Sequence, residues 1–548
     1  MKVENRRTRR RLVVAALICA VVALPMLATG NRQHDGEQKI KRSEALILFN
    51  GRIHTMDGTN RVVQEVLIEN GRFVEVGRRV DRSGRVRLIN LRGHTVIPGI
   101  IDAHNHIVLV GNRPGWHTPM EHVFTIPEAI ATYQARAREV PAGEFITTIG
   151  PIAARQFAEQ RLPELPELDA IPRPVYIQAA QGGSRANTAA AAWFAANNPA
   201  VTVNPVTGAV TGPALQTLRE KLLTPETRKR TAHGALQYFT SLGITTHGDS
   251  GAFHAELPSN GIASENVYTM HFPFLALQRE RQMPARLRLD FLHQDGASDT
   301  ALTTLAPRLR NSFPFFGDDW LRTAGIGEFT GGGLAGLVAI GRAGWRAEDH
   351  SLNLNSFINL VNLRQTAHNQ LVAEGFADGI SKLRWRISHV PATTEVSVNQ
   401  FKALGGGLLV GWGPTRTGTN VGPAYRTLFD NGIPLGWHSD GGDITVISPW
   451  LNFYTTITGK NLSGDTINAG QTLTRWETLW LATAANKWFI EEDDLGSIEA
   501  GNHADLVVLD RDYFSVPEAE IPRIHSILTI VGGKIVHDPG VLPFRRDD

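Results

Sequence analysis

Short apolar runs separated by turn residues open the folded part of the chain. Leu46-Ile47-Leu48-Phe49 reads as a strand, and Val66-Leu67-Ile68 and Phe73-Val74-Glu75-Val76 flank Glu69-Asn70-Gly71-Arg72. Asn-Gly between two apolar runs is the strongest short-range hairpin signal, because both turn positions need positive φ. A matching group stands at the other end: Ala504 to Leu509, then Ile527 to Val531, Gly532-Gly533 and Lys534-Ile535-Val536. The pattern predicts that residues 44–97 and 496–540 meet in one small β-sandwich.

Between residues 98 and 495 the period changes. Strand-like runs alternate with helical stretches, as where Phe357 to Glu374 precedes Trp385-Arg386-Ile387-Ser388. Such alternation predicts parallel βα units. The stretch exceeds an ordinary eightfold barrel, roughly 250 residues, by well over a hundred. An insertion is therefore expected, and the Ala- and Gly-rich region around 150–213 is its natural place.

Composition narrows the classes. A chain with 42% hydrophobic and 20% charged residues is not disordered, and 53 Gly with 29 Pro in no strict period exclude a collagen-like architecture. The single cysteine, Cys19, permits neither an intramolecular disulfide nor a thiolate metal site. Any transition-metal centre must be built from His, Asp or Glu, for which 19 histidines are available.

Much of the positive charge lies at the start. Lys2, Arg6, Arg7, Arg9, Arg10 and Arg11 precede an apolar run from Leu12 to Ala28, the layout of an export signal over residues 1–30. Thr8-Arg9-Arg10-Arg11-Leu12-Val13 resembles a twin-arginine signal. The expected location is periplasmic or extracellular. Pro25 near the end of the run suits a cleavable segment, and a retained one would anchor the protein to the membrane. Removing the six basic groups and one acid of residues 1–30 turns a formal charge of +2 into −3. The mature protein thus gives no reason to expect nucleic acid. Residues 31–43 are polar and read as a flexible lead-in.

The candidate chemistry begins at Val96-Ile97-Pro98-Gly99-Ile100-Ile101-Asp102-Ala103-His104-Asn105-His106, a buried strand ending in two histidines two positions apart. On a strand such positions share a face, so His104 and His106 can point at one ion. A lone His-x-His is also compatible with two unrelated packed or surface histidines. Three further residues bear on the choice: His350 closes Gly344 to His350, His389 ends Arg384 to His389, and Asp440 follows Ile433 to Ser439. Each stands at a strand's carboxyl end. In a βα barrel those ends share one face, so the four histidines and the carboxylate would form a metal site with a general base beside it.

With these elements in order, the chain resembles the amidohydrolase superfamily of metal-dependent hydrolases, and within it the amidohydrolase-3, or YtcJ-like, branch. The likeness covers nearly the whole mature chain, including Gly243-Ile244-Thr245-Thr246, Asp318-Asp319-Trp320-Leu321 and the tail Leu495-Gly496-Ser497-Ile498-Glu499-Ala500-Gly501-Asn502-His503-Ala504-Asp505-Leu506. The resemblance implies an α/β fold, a distorted (β/α)8 TIM barrel with a β-sandwich from the N- and C-terminal segments. It also implies hydrolysis of an amide-type, non-peptide C–N bond with one or two divalent ions, zinc foremost. Many relatives bridge two metals with a carboxylated lysine on the fourth strand, but no lysine stands between Lys229 and Lys382. Glu328, in Trp320 to Phe329, is the nearby carboxylate and the candidate bridge; a strand-end acid with no ligand role is the alternative. His247 stands one residue before the family's usual histidine, and a one-residue slip reverses a strand face. Asp249 fits a structural hydrogen-bonding role, and the family's Gly-His near Gln181-Gly182-Gly183 has become Gly-Gly.

The expected ligand set is therefore His104, His106, Glu328, His350, His389 and Asp440. A bound divalent ion lowers the pKa of its water from about 16 towards about 7. Asp440 would take that water's proton and pass it to the leaving nitrogen, with His389 a ligand or a donor to the developing oxyanion. Trp116, His117, Trp412, Arg416, Trp437 and His438 are candidate pocket-lining residues, though for any one of them core packing is the stronger reading. Eleven tryptophans suit a hydrophobic substrate pocket and a large core alike. The expected partner is a small molecule, with membrane contact only through a retained signal and a homo-oligomer left open. Two other functions remain: a lactone or ester hydrolase using the same site, and an inactive binding protein of the same fold.

Overall fold

The computed structural model describes residues 45–546 except 84, 151, 180–182, 252–266, 412, 419–420 and 443–444. The expected export signal, the lead-in and Cys19 lie outside the described residues. Among the described residues no helix is long and apolar enough to cross a membrane.

Eight parallel strands form the central sheet. They are β1 (Ile100–Asn105), β2 (Ile244–Asp249), β3 (Arg286–His293), β4 (Leu321–Thr330), β5 (Arg346–His350), β6 (Arg386–His389), β7 (Gly407–Gly411) and β8 (Leu435–His438), hydrogen-bonded in sequence order. The sheet nearly closes into a barrel: Asp440 N donates to His104 O at 3.2 Å, and Ser439 N donates to Asp102 Oδ1 at 3.0 Å. This is the (β/α)8 barrel expected from the βα alternation. Helices on its outside start where capping residues place them. Thr224, before Pro225–Ser241, accepts from Thr227 N, and Asn353, before Leu354–Ala373, accepts from Ser356 N. The apolar faces of these helices join one large core with the outward faces of the strands.

The terminal segments form the second unit of architecture. A five-stranded sheet runs Phe544–Arg546, Val86–Asn90, Ala45–Phe49, Glu65–Glu69, Arg72–Gly77. A six-stranded sheet runs Lys534–His537, Ser526–Val531, Leu506–Leu509, Thr95–Pro98, Arg52–His54, Val62–Val63. Leu46, Leu48 and Ile68 from the first pack with Ile53, Val96, Leu506 and Ile530 from the second, which makes a sandwich. The expected hairpin is present, with Asn70 at φ 51 and Gly71 at φ 80 in its turn. The C-terminal contribution reaches beyond residue 540, since Phe544 pairs with Ile89.

Between β1 and the helix Pro225–Ser241 lies an added layer. Its four-stranded sheet runs Ser184–Ala186, Val175–Ala179, Ile146–Gly150, Trp116–His117, and the helices Ile126–Glu139 and Thr188–Asn197 pack on it. It starts well before the expected boundary at 150. The Trp116–His117 strand is only two residues long, too short for a period-two pattern to register, which is why composition marked only the later part.

Candidate metal centre

The chain delivers six side chains to the carboxyl ends of the barrel strands. His104 and His106, at the end of β1, each place Nε2 3.3 Å from Asp440 Oδ1, just past β8. Glu328 enters from β4. Ile326 and Thr330 pair with Phe291 and His293, so β4 carries extra residues there, and such a bulge re-aims side chains. Glu328 Oε2 lies 3.2 Å from His106 Nε2, while its Oε1 lies 2.7 Å from His350 Nδ1 and 3.3 Å from His389 Nε2. One carboxylate thus faces two groups of histidines, one with each oxygen. Ligand atoms of His104, Glu328, His389 and Asp440 all lie within 4.8 Å of one another. His350 stands outside this tightest group, with 25% of its side chain exposed. His389 (φ 70) and Asp440 (φ 54) hold left-handed backbone conformations, which non-glycine residues adopt where the surroundings impose them.

The far ring nitrogens of β1 are already engaged. His104 Nδ1 bonds to Glu348 Oε1, with Ser250 Oγ 2.9 Å away, and His106 Nδ1 donates to Gly251 O at 2.8 Å. Such bonds fix which nitrogen turns to the cluster. Below, Glu348 also accepts from Arg386, which reaches Asp290, and Asp290 accepts from Arg346 at 2.9 Å. Asp102 accepts from Ser439 N and from Ser439 Oγ at 2.5 Å, tying the start of the Asp440 turn to β1. Burial pushes Asp102 up to about 6, against those hydrogen bonds.

These residues fit a divalent cation. His104 Nε2, Glu328 Oε2 and Asp440 Oδ1 are buried, yet make no well-directed hydrogen bond among the described residues. Imidazole and carboxylate donors in this mixture suit zinc and its neighbours. Burial would lower the His104 pKa, but the Glu348 charge, the hydrogen bond to Glu348 and the close approach of Asp440 outweigh it and push it up to about 10. Burial would raise the Asp440 carboxyl, but the His389 charge and the close approach of His104 and His106 hold it well below the usual range. Glu328 is held down likewise by His106, His350 and His389. Protons on the imidazoles here balance carboxylates that a cation would balance instead.

Other expectations resolve one by one. His247 faces away from the cluster: it packs 5.1 Å from the Phe239 ring, and burial lowers its pKa to about 3. Position 248, one residue further on, cannot hold a side chain, since a Cβ there would lie 2.3 Å from Ala103 O. Asp249 has a structural role, accepting from Val108 N at 3.0 Å and bonding His271 Nε2 at 2.6 Å. Trp437 packs on Phe453 in the core, and Trp116 and His117 line a separate cavity. His438 does lie at the cluster, with ring centroids 4.9 Å from His104 and 5.0 Å from His389. The Arg416 guanidinium feels the charge of Asp440. Trp412 and the pair Gln181-Gly182 lie outside the described residues. Glu348 and Arg386 were missed. Strand alternation carried the signal, since Glu348 shares a face of β5 with His350.

A barrel whose strand ends converge on a histidine–carboxylate cluster defines the class of metal-dependent hydrolases. Comparison with known proteins agrees: the model of the amidohydrolase family matches residues 87–537, and the chain belongs to that family. It is 24% identical over 550 residues to an N-substituted formamide deformylase from Arthrobacter pascens, covering 90% of this chain and 98% of that protein. An imidazolonepropionase of Vibrio cholerae is 31% identical over 112 residues, 20% of this chain and 25% of its own length. The fold is shared with a metal-dependent hydrolase from Pyrococcus horikoshii OT3 (TM-score 0.57, 18% identity, 87% of this chain and 99% of that one). It is shared also with an atrazine chlorohydrolase from Arthrobacter aurescens TC1 complexed with zinc (TM-score 0.53, 15% identity, 90% and 95%).

Proposed function

We propose that the protein is an exported hydrolase that cleaves an amide-type, non-peptide C–N bond of a small, hydrophobic molecule. The observation that carries this reading is the convergence of His104, His106, Glu328, His389 and Asp440 on one buried point. The formamide-cleaving relative, alignable over nearly its full length, supports a C–N bond as the target. The basic and apolar layout of residues 1–30 supports export.

His104, His106, Glu328, His389 and Asp440 would hold the cation, with His350 reaching it through Glu328 or directly. Zinc is the ion of choice for this donor set, and the two-sided seat of Glu328 suits a bridge between two ions. The bound cation supplies Lewis-acid polarisation of the carbonyl and acidification of water. Asp440, a carboxylate at neutral pH, accepts the proton of the attacking water and returns it to the departing nitrogen. Ligation and donation to the developing oxyanion are alternative roles for His389, because the Nε2 that faces Glu328 can serve only one of them. Glu348 and Gly251 keep the β1 imidazoles in register for this work. Burial excludes bulk water and strengthens each of these electrostatic contacts.

The test is metal analysis of the purified protein with a panel of paired amides and esters that includes an N-substituted formamide. Stoichiometric zinc and turnover of amides are expected. Faster turnover of every ester than of its matched amide would move the activity to ester or lactone hydrolysis, and protein without a stoichiometric divalent metal would remove the reading.

A further inference from the structure

A second cavity, of about 640 Å³, lies where the added layer meets the helix Pro225–Ser241. Its size is in the range of small-molecule sites. None of the proposed metal ligands lines it. Trp116 forms one wall and carries two guanidinium groups, Arg230 at 4.0 Å and Arg136 at 5.6 Å from the ring. The acid nearest Arg230 is Glu144, at 4.0 Å. Arg136 bonds Glu139 at 2.8 Å and His117 O at 3.2 Å, while its Nε has no partner among the described residues.

The other charged groups facing the cavity are accounted for. Arg113 donates to Gly442 O and bonds His117 Nε2 at 2.6 Å, and burial keeps His117 neutral. Glu121, 1% exposed, accepts from Ile447 N at 2.7 Å and Tyr238 Oη at 2.9 Å. His233 is half-buried at the rim, its pKa lowered by burial and by Lys229. Arg113, Arg136 and Arg230 line the space together with Glu121 and Glu139, and Phe239, Ile447, Val110 and Ala235 add apolar lining.

We propose that this cavity binds a small monocarboxylate with an apolar body, its carboxylate received by the Arg230 and Arg136 guanidinium groups on Trp116. Guanidinium groups held on an indole face are pre-set for a carboxylate, because the cation–π contact fixes them before the ligand arrives. The cavity also touches the catalytic face. Gly442 and Ile447, held by Arg113 and Glu121, follow Asp440 within a few residues, so an occupant that engages this wall steadies that stretch.

The experiment uses phenylacetate as the probe, with benzylamine and benzyl alcohol as matched cationic and neutral bodies, titrated calorimetrically into the full chain. One saturable phenylacetate site is expected, surviving removal of metal by chelator, with benzylamine silent. Arg230→Ala and Arg136→Ala should each weaken it, the former at least tenfold. Hydrogen exchange at Gly441, Gly442 and Ile447 should slow at saturation. No saturable binding, binding lost with the metal, equal binding of benzylamine, or unaltered affinity in both variants overturns the site. Unchanged exchange overturns its link to the catalytic face.

Discussion

The mouth and the interior of the barrel are both filled with buried charge, and they are built on opposite rules. In the interior, Arg286 meets Asp505, Arg288 meets Glu492, and Arg346 and Arg386 share Asp290, each contact hydrogen-bonded. At the mouth, carboxylates and imidazoles crowd together with Asp440 Oδ1 and Glu328 Oε2 lacking well-directed bonds. A paired buried ion is compatible with structure alone, and breaking the pair is what costs stability. A set of buried donors converging without partners asks for something that is not protein. The same residue types therefore read as scaffold in one place and as site in the other, and satisfaction is what separates them.

The sharpest way to break this contrast is Asp440→Asn. It should retain metal, because four other donors remain, yet lose three or more orders of magnitude in turnover as the proton acceptor disappears. Metal content by plasma spectrometry beside kcat reads both halves. Undiminished kcat would take Asp440 out of the mechanism. Next in size is Asp290→Asn, which leaves Arg346 and Arg386 facing a neutral amide. It should destabilise the fold by about 3–5 kcal/mol, measured by urea unfolding, while metal still binds. An unchanged unfolding midpoint would show that the interior pairs are not scaffold.

The mouth was more legible in the sequence than the interior. His104, His350, His389 and Asp440 stand at the carboxyl ends of strand-like runs, and a chemical residue closing a barrel strand has few other reasons to be there. The interior arginines gave no such cue, because Arg286, Arg288 and Arg386 sit within strands where charge reads as solvent-facing until the partner on another strand is known. Asp290 lies 56 residues before Arg346 and 96 before Arg386, beyond any local pattern. The hairpin at Asn70-Gly71 was readable because its signal is entirely local. The start of the added layer at Trp116 was not, since its pairing depends on Ile146.

Glu348 belongs to both regions, and so it sharpens the comparison. It bonds His104 on one side and Arg386 on the other. Glu348→Gln keeps the shape and removes the charge that orients the imidazole. Zinc affinity, read by competition with a chromophoric chelator, should fall about 10- to 100-fold, the usual effect of losing a carboxylate behind a metal-bound histidine. Glu348→Asp should recover part of it. Affinity equal to that of the parent would assign Glu348 to the scaffold alone.

The smallest effect tests whether a satisfied buried acid outside the barrel follows the interior's rule. Burial pushes the Glu121 carboxyl up to about 7, against hydrogen bonds from Ile447 N and Tyr238. An unfolded glutamate titrates near 4.3, so between about 4.3 and 7 the folded state holds more protons than the unfolded one. Stability from this group is then fully present below the unfolded pKa and declines as pH rises to about 7, by up to about 1.4 kcal/mol per pH unit. Glu121→Gln keeps the bond from Ile447 N, reverses the Tyr238 contact so that the amide donates to the hydroxyl, and cannot ionise. Its unfolding free energy should decline less steeply over that window than the parent's, measured by urea unfolding at pH 5, 6 and 7. Parallel slopes would mean that Glu121 ionises freely in the folded protein, and that its two hydrogen bonds rather than its neutrality hold the Ile447 backbone in place.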